Sequence, residues 1–187
     1  MLSKIRSREM KACIILGIVV GLISFPSYVS ASPFGQGVFG ADVPFGSATS
    51  ISINLSGDVP IALTPSGGNF SGSGSHVVTV TSTDVVGYYL YAHTTNGTSM
   101  TNGAASIPAS SNTSAGSLAV GSWGYNTTGS TTNFLGMPST SVVVKDATGP
   151  YKNGDPTTVT YGALTGATQE SGTYNVAVTY TAVAKNQ

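Results

Sequence analysis

The chain contains little cysteine, little charge and few histidines. Of its 187 residues 7% are charged, one is a cysteine, Cys13, and two are histidines. Cys13 lies at the start of an apolar run near the N-terminus, where we expect it to be removed together with that run. The rest of the chain has no cysteine, which excludes a disulfide framework and a thiolate metal site. Packing alone must therefore stabilise the fold.

Positive charge is scarce after residue 31. That part of the chain has three lysines and no arginine against six carboxylates, which gives a net charge of −3. Nucleic-acid binding takes most of its affinity from Lys and Arg contacts to phosphate. We therefore expect no nucleic-acid partner and no electrostatic attachment to anionic lipid.

The first 31 residues have the pattern of a secretory signal peptide. Four basic residues precede the apolar run ACIILGIVVGLISF, and SYVSA ends at Ala31 with the small residues of a cleavage site. The alternative is an uncleaved anchor, but the 14-residue run is shorter than the roughly 20 residues that span a bilayer. We predict a signal peptide over residues 1–31, no stable membrane span after its cleavage, and a secreted, extracellular or wall-associated protein.

Residues 32–49 predict an extended arm. This segment, SPFGQGVFGADVPFGSAT, is rich in Gly, Pro and Phe and has no helical periodicity. Three phenylalanines are unusual in a purely disordered linker, so we expect part of the arm to dock on its own domain or on a neighbour. The alternative is simple disorder. If it docks on a neighbour, its assembly contacts are Phe34, Phe39 and Phe45.

From residue 50 onward, short β-type runs alternate with turn-forming clusters, and no window of a dozen residues has helical spacing. This pattern predicts one all-β domain over residues 50–187, a single Ig-like antiparallel β-sandwich. The predicted strands are 50–55, 76–83, 86–93, 141–145, 157–164 and 173–184, with a further short strand at VGSWGYN and a loop that packs Phe134, Leu135 and Met137 under the sheets.

Few residues are suited to catalysis. His76 and His93 are predicted to lie exposed at strand ends, and SGSGSH lacks the G-x-S-x-G spacing and is typical of a flexible loop. The carboxylates lie mostly in turn-forming clusters, which does not favour the paired acids of a glycosidase. KDATGPYKNGDP offers oxygen ligands for calcium but lacks the ordered spacing of an EF-hand. We predict no enzyme, no metal site and no cofactor.

The aromatic residues are the candidates for binding. An open Tyr or Trp ring can stack on a sugar, whereas the alternative is core packing with the polar tip at the solvent. In GYYLYAH, the period of two places Tyr88 and Tyr89 on opposite faces, so that one is core and the other is available. The residues that we assign to ligand binding are Tyr88, Leu90, Trp123, Tyr125 and Tyr180.

Two segments resemble the signature regions of Gram-positive WxL-type wall-associated domains. In VTVTSTDVVGYYLYA, Tyr88-x-Leu90 stands where that family has Trp-x-Leu, and GTYNVAVTYTAVA resembles the family's terminal strand. Both signature tryptophans are tyrosines in this chain, and the last leucine is an alanine. The residues at the matching terminal positions are Tyr174, Val178, Thr179, Tyr180 and Ala182.

The order of four segments is similar to that of secreted surface domains in small, reduced-genome bacteria. They are Gly87-Tyr88-Tyr89-Leu90, Ile107-Pro108-Ala109, Trp123-Gly124-Tyr125 and the stretch from Gly172 to Ala184, so the resemblance covers most of residues 50–184. It implies a β-rich architecture at the cell surface.

We therefore expect a secreted bacterial cell-surface protein with a structural or adhesive role and no catalytic activity. One alternative is a module that binds cell-wall glycan non-covalently, the role that the WxL resemblance implies. Another is a filament subunit in which residues 32–49 donate a strand to the next subunit. The expected partners are cell-wall glycan, other surface proteins or copies of the chain itself.

Overall fold

Ten β-strands make up the regular structure of residues 49–185, the part of the chain that our computed structural model describes, and no helix occurs in that range. The strands are β1 (Ser50–Leu55), β2 (Thr64–Ser66), β3 (Asn69–Thr83), β4 (Gly87–Thr94), β5 (Met100–Asn102), β6 (Ala105–Ile107), β7 (Ser122–Asn126), β8 (Val142–Thr148), β9 (Tyr151–Gly166) and β10 (Val178–Lys185).

The strands form two antiparallel sheets and a small hairpin. The first sheet has the order β1-β3-β9-β7, with β2 paired to β3, the second has the order β10-β4-β8, and β5 pairs with β6. The longest ladder joins β3 to β9, from Asn69 opposite Gly166 to Ser82 opposite Tyr151. In the second sheet, β4 is the central strand, with β10 and β8 on either side of it.

The core lies between the inner faces of the two sheets. Because side chains of a strand alternate between faces, Val78 and Val80 of β3 and Val159 of β9 project inward from the first sheet, and Leu90 and Ala92 of β4 project inward from the second. All five are completely buried. Burial of one Val or Leu side chain stabilises a fold by about 1.5–3 kcal/mol. The predicted all-β sandwich is confirmed.

All of the predicted strands are present, VGSWGYN among them as β7, but β3 and β9 are much longer than predicted. SGSGS and YKNGDP have the composition of loops but lie in the first parts of these two strands. SGSGS pairs with the later part of β9, and YKNGDP pairs with the later part of β3. Gly and Ser rarely form strands by their own propensity. On the inner face of β3, the backbone of residues 60–62 lies where a side chain on Gly72 or Gly74 would stand, so glycine is required there.

Strand β10 begins at Val178, later than the predicted start at residue 173. The preceding residues turn away to the hairpin of β5 and β6, where the backbones of Thr101 and Asn175 exchange two hydrogen bonds of 2.9 and 3.0 Å. Residues 173–177 therefore belong to a connection, and only the second part of the alternating segment forms β10.

The loop around Phe134 covers the outer edge of β7. Leu135 exchanges two backbone hydrogen bonds with Tyr125, of 2.7 and 2.9 Å. The Phe134 ring lies on the outer face of the first sheet, over the bare backbone of Gly162, while Met137 enters the core. Phe134 and Met137 are 3% and 1% exposed, which confirms the predicted packing of this loop.

Two predicted segments lie outside the described residues: the signal peptide over residues 1–31 and, except for Thr49, the arm over residues 32–49, with Phe34, Phe39 and Phe45. Among residues 49–185, no helix has the length and apolar character needed to cross a membrane.

Replacing Leu90 by Ala tests the assignment of the inner face of β4. Leu90 is completely buried, so Leu90→Ala is expected to lower the free energy of unfolding by about 2–5 kcal/mol, as measured by urea denaturation. Val183→Ala is the matched control, because Val183 is 46% exposed on the outer face of the same sheet. A Leu90→Ala loss no larger than that of the control would contradict the assignment.

Candidate functional site

The two faces of the second sheet differ in accessibility. In β4, residues Tyr88, Leu90 and Ala92 face the core, and Tyr89 and Tyr91 lie on the outer face. One of the paired tyrosines, Tyr88, is therefore core as predicted, and the other, Tyr89, is partly exposed on the outer face.

Four of the five residues predicted to bind a ligand are buried. Tyr88, Leu90 and Trp123 have no exposed surface and Tyr125 is 6% exposed. Their rings and side chains fill the space between the sheets, and the Trp123 indole Nε1–H donates to the carbonyl of Thr98 at 2.9 Å. Since none of the four offers an open face to a sugar ring, the expectation that they form a binding platform is corrected, and they are core residues.

The fifth predicted residue, Tyr180 of β10, is half-buried and joins the two sheets. Its hydroxyl lies 2.5 Å from the Tyr161 hydroxyl of β9 and 2.8 Å from His76 Nε2 of β3. The other ring nitrogen, His76 Nδ1, lies 2.9 Å from the carbonyl oxygen of Gly57. His76 was predicted at an exposed strand end, and this is wrong because β3 extends back to Asn69 and places it within the sandwich.

The hydrogen bonds of this group have one consistent direction when His76 is neutral. The Gly57 carbonyl can only accept, so Nδ1 carries the proton and donates it, and Nε2 accepts from the Tyr180 hydroxyl. Tyr180 in turn accepts from the Tyr161 hydroxyl. Both ring nitrogens of His76 are thus used within the fold, which leaves the ring no free lone pair for a general base acting on an external substrate.

Burial keeps these phenols protonated. The pKa of Tyr161 is raised to about 12, and burial is the main cause. Burial likewise raises the pKa of Tyr180 well above its ordinary value, with an added contribution from the charge that Tyr161 would carry. The chain of hydroxyls is therefore a structural link at neutral pH.

A second polar group joins the sheets near the other end of β4. The Tyr88 hydroxyl donates to Asp155 Oδ2 at 2.7 Å, and Lys145 Nζ donates to Asp155 Oδ1, also at 2.7 Å. Burial and the adjacent carboxylate raise the pKa of Tyr88 far above its ordinary value. Asp155 is therefore occupied by internal partners, which satisfy a charge that would otherwise be costly to bury.

The outer face of the second sheet carries a partly exposed aromatic and aliphatic surface. Tyr89 and Tyr91 lie side by side along β4, with their ring centroids 6.0 Å apart. On β10, Val183 stands opposite Tyr89, and on β8, Val143 stands opposite Tyr91. These two valines are 46% and 49% exposed. We call these four residues, Tyr89, Tyr91, Val143 and Val183, the outer aromatic face.

Polar groups border the outer aromatic face. Thr181 of β10 stands opposite Tyr91. At one end, Lys185 forms an ion pair with Asp146, and its Nζ lies 4.3 Å from the centroid of the Tyr89 ring. This cation occupies one side of the Tyr89 ring, so the Tyr91 ring is the more available of the two. The surface as a whole is mainly aromatic, aliphatic and hydroxyl-bearing.

His93 lies at the other end of the same face. Its Nδ1 is 3.4 Å from the Ser141 hydroxyl, a long contact between exposed groups. Within residues 49–185, neither histidine forms an ion pair with a carboxylate, and a nucleophilic serine needs a histidine that a third group orients. Within the described residues, the contact between Ser141 and His93 lacks a carboxylate in this third position.

Metal ligands do not come together in the described part of the chain. Residues 49–185 contain no group of three or more His, Cys, Asp or Glu residues placed to hold an ion. The segment considered for calcium runs from β8 into β9, where Asp146 pairs with Lys185 and Asp155 pairs with Lys145.

The sequence alone predicted the outer aromatic face only in part. The alternation in GYYLYAH indicates two faces, but each face carries a tyrosine, and the period alone does not say which face is buried. The pairing of β4 with β8 and β10 decides which face is buried. It groups Val143, Val183 and the threonines of β10 with Tyr89 and Tyr91.

Comparison with known proteins gives no assignment: the chain matches no family model, and no curated protein or solved structure is significantly similar to it. The resemblance to WxL-type domains therefore stays a prediction.

The raised pKa of Tyr161 predicts loss of stability at alkaline pH. The folded pKa is about 12 and the ordinary value is 10.0, so above pH 10 the unfolded chain loses the proton first. The stabilisation is complete below pH 10 and declines as the pH rises towards 12. We expect the free energy of unfolding, measured by urea denaturation from pH 8 to 12, to fall over this interval.

Tyr161→Phe removes the titrating group and should make this alkaline decline shallower. Tyr91→Phe is the control, because Tyr91 belongs to the outer face, and it should leave the slope unchanged. A stability that is independent of pH up to 12, or the same slope in Tyr161→Phe as in the unmodified protein, would contradict the role of the buried phenol.

Proposed function

We propose that this protein is an exported bacterial cell-surface protein that adheres to wall polysaccharide through the outer aromatic face. The signal-peptide pattern of residues 1–31 supports export. The scarcity of charge and the many hydroxyl and amide side chains suit a ligand that is itself neutral and rich in hydroxyl groups. Catalysis forms no part of the proposal.

The observation that carries the proposal is the pair of neighbouring rings, Tyr89 and Tyr91, on an open sheet face. Tyrosine combines an apolar ring with a hydroxyl that bonds to a polar ligand. The apolar C–H face of a sugar can lie on the Tyr91 ring, with Val143 beside it, while its hydroxyl groups reach Thr181. The two rings follow one another along β4, so the face suits a polymer better than a small molecule.

The charges on the face favour attachment that tolerates salt. The two charged side chains next to the rings, Lys185 and Asp146, neutralise each other in an ion pair. Binding that depends on stacking and neutral hydrogen bonds changes little with ionic strength, unlike attachment through exposed charges. We therefore place the affinity in the rings rather than in Coulomb attraction.

Replacing Tyr91 by Ala tests the proposal in a sedimentation assay with purified cell-wall sacculi. Loss of a central aromatic contact at an interface costs about 1–2 kcal/mol, so the apparent affinity of Tyr91→Ala should fall about tenfold. Tyr91→Phe keeps the ring and should retain most of the binding. Urea denaturation of each variant shows that the fold is intact.

Leu55→Ala is the control, because Leu55 is a 47% exposed apolar residue on β1 of the other sheet. It should bind the sacculi as the unmodified protein does. Failure of the unmodified protein to sediment with sacculi, or equal losses in Tyr91→Ala and Leu55→Ala, would contradict the proposal.

A second candidate function is assembly by strand donation from residues 32–49 of one copy to another. Among the described strands of six or more residues, β1, β8 and β10 each have one edge that pairs with no strand, and such edges accept an added strand. At β8, the register shift in its pairing and the inward-pointing Lys145 disfavour addition. The edges of β1 and β10 are therefore the candidate acceptors.

Deletion of residues 32–49 tests the second candidate. If these residues link the copies, the exported protein forms oligomers whose mass grows with concentration, and the deletion variant is a monomer in light scattering. A full-length protein that stays monomeric at high concentration would contradict strand donation without affecting the prediction for sacculi.

A further inference from the structure

An open cleft lies where the long strands of the first sheet extend beyond the second sheet. Its volume is about 840 Å³, within the range of about 300–1,000 Å³ that is usual for ligand sites. The floor comes from the ends of β3 and β9, one wall from the connection between β1 and β2, and the other wall from the connection between β9 and β10. Its apolar lining includes Ile61, Leu63, Phe70, Met100, Ile107 and Ala163.

Both walls of the cleft are fixed by the fold. The first wall lies directly on the bare backbone of Gly72 and Gly74, which brings residues 59–62 against β3. In the second wall, the Tyr174 hydroxyl donates to the carbonyl of Glu170 at 2.8 Å and accepts from Gln169 Nε2 at 2.6 Å. The cleft is therefore preformed, and a ligand would not have to order its walls.

The cleft is bordered by negative charge without a balancing cation. Of the five carboxylates in the described residues, Asp146 and Asp155 form ion pairs with lysines. Two of the remaining three, Asp58 and Glu170, line the cleft, and none of the lysines in the described residues does. Both carboxylates are exposed, and charges of the same sign around an apolar cleft raise the local concentration of cations.

We infer that this cleft binds an amine with an apolar substituent, with the hydrocarbon part against Phe70 and Met100 and the protonated amine near Asp58 and Glu170. The apolar lining supplies the affinity, and the two carboxylates select the charge. The site is separate from the outer aromatic face, so it does not depend on adhesion to polysaccharide.

Three probes that share one hydrocarbon chain test the inference: n-octylamine, n-octanol and n-octanoate. Titration of the isotope-labelled exported protein, followed by amide NMR shifts, should show saturable binding of n-octylamine with the largest shifts around the cleft. We expect n-octanol to bind about fivefold more weakly, because it lacks the attraction to two exposed carboxylates. n-Octanoate should show no saturation.

The variant Asp58→Asn/Glu170→Gln should lose about fivefold in affinity for n-octylamine and bind n-octanol unchanged. Asp84→Asn is the matched control, because Asp84 lacks an ion pair in the described residues but does not line the cleft. Added salt should weaken n-octylamine alone. The salt test needs no variant, so it tests the contribution of the two carboxylates even if the double variant does not fold.

Three results would overturn the inference. One is equal affinity for n-octylamine and n-octanol, which would show that the carboxylates select nothing. Another is amide shifts centred away from the cleft. The last is a loss of affinity in Asp84→Asn as large as that in the double variant.

Discussion

The rest of the structure depends on the ladder between β3 and β9, which pairs Asn69–Thr83 with Tyr151–Gly166. These two strands are about twice as long as any strand of the facing sheet, so the second sheet covers only part of them. The covered part holds the core. The uncovered part must be closed by connections, and the glycines of β3 allow the backbone of residues 60–62 to approach closely enough to do so. The cleft is the space that this closure leaves.

Two polar groups join the sheets across the apolar core, and both use tyrosine. Tyr180 reaches Tyr161 and His76, and Tyr88 reaches Asp155. A buried polar group is costly unless it has a partner, so these hydrogen bonds disfavour any relative placement of the sheets that would break them. The same contacts explain why His76, Tyr88 and Tyr180 are turned inward. Leu90, Trp123 and Tyr125 are buried by packing in the apolar core. Within residues 49–185, Tyr89 and Tyr91 are partly exposed on the outer face of the second sheet.

Patterns of period two predicted the fold class and most of the strands, because alternation in segments such as SISINL and GYYLYAH is a local property. They did not predict the length of β3, because Ser71–Ser75 becomes a strand only through its partner on β9. They also did not predict the contact of His76 with Tyr180, which lies 104 residues further along the chain. The binding face was predicted at Tyr88 and Leu90, whereas the outer face of the sheet carries their neighbours Tyr89 and Tyr91. Both registers alternate equally well, and only the packing of three strands against the first sheet decides between them.

Hydroxyl-radical footprinting with mass spectrometry, with and without cell-wall polysaccharide, tests the central claim most directly. The outer aromatic face is the surface that we propose to bind, so oxidation of Tyr89 and Tyr91 should fall in the presence of the polysaccharide. The buried Tyr88 and Trp123 should stay unmodified in both samples, because they have no exposed surface. Unchanged oxidation of Tyr89 and Tyr91 under conditions where the protein is bound would contradict the account.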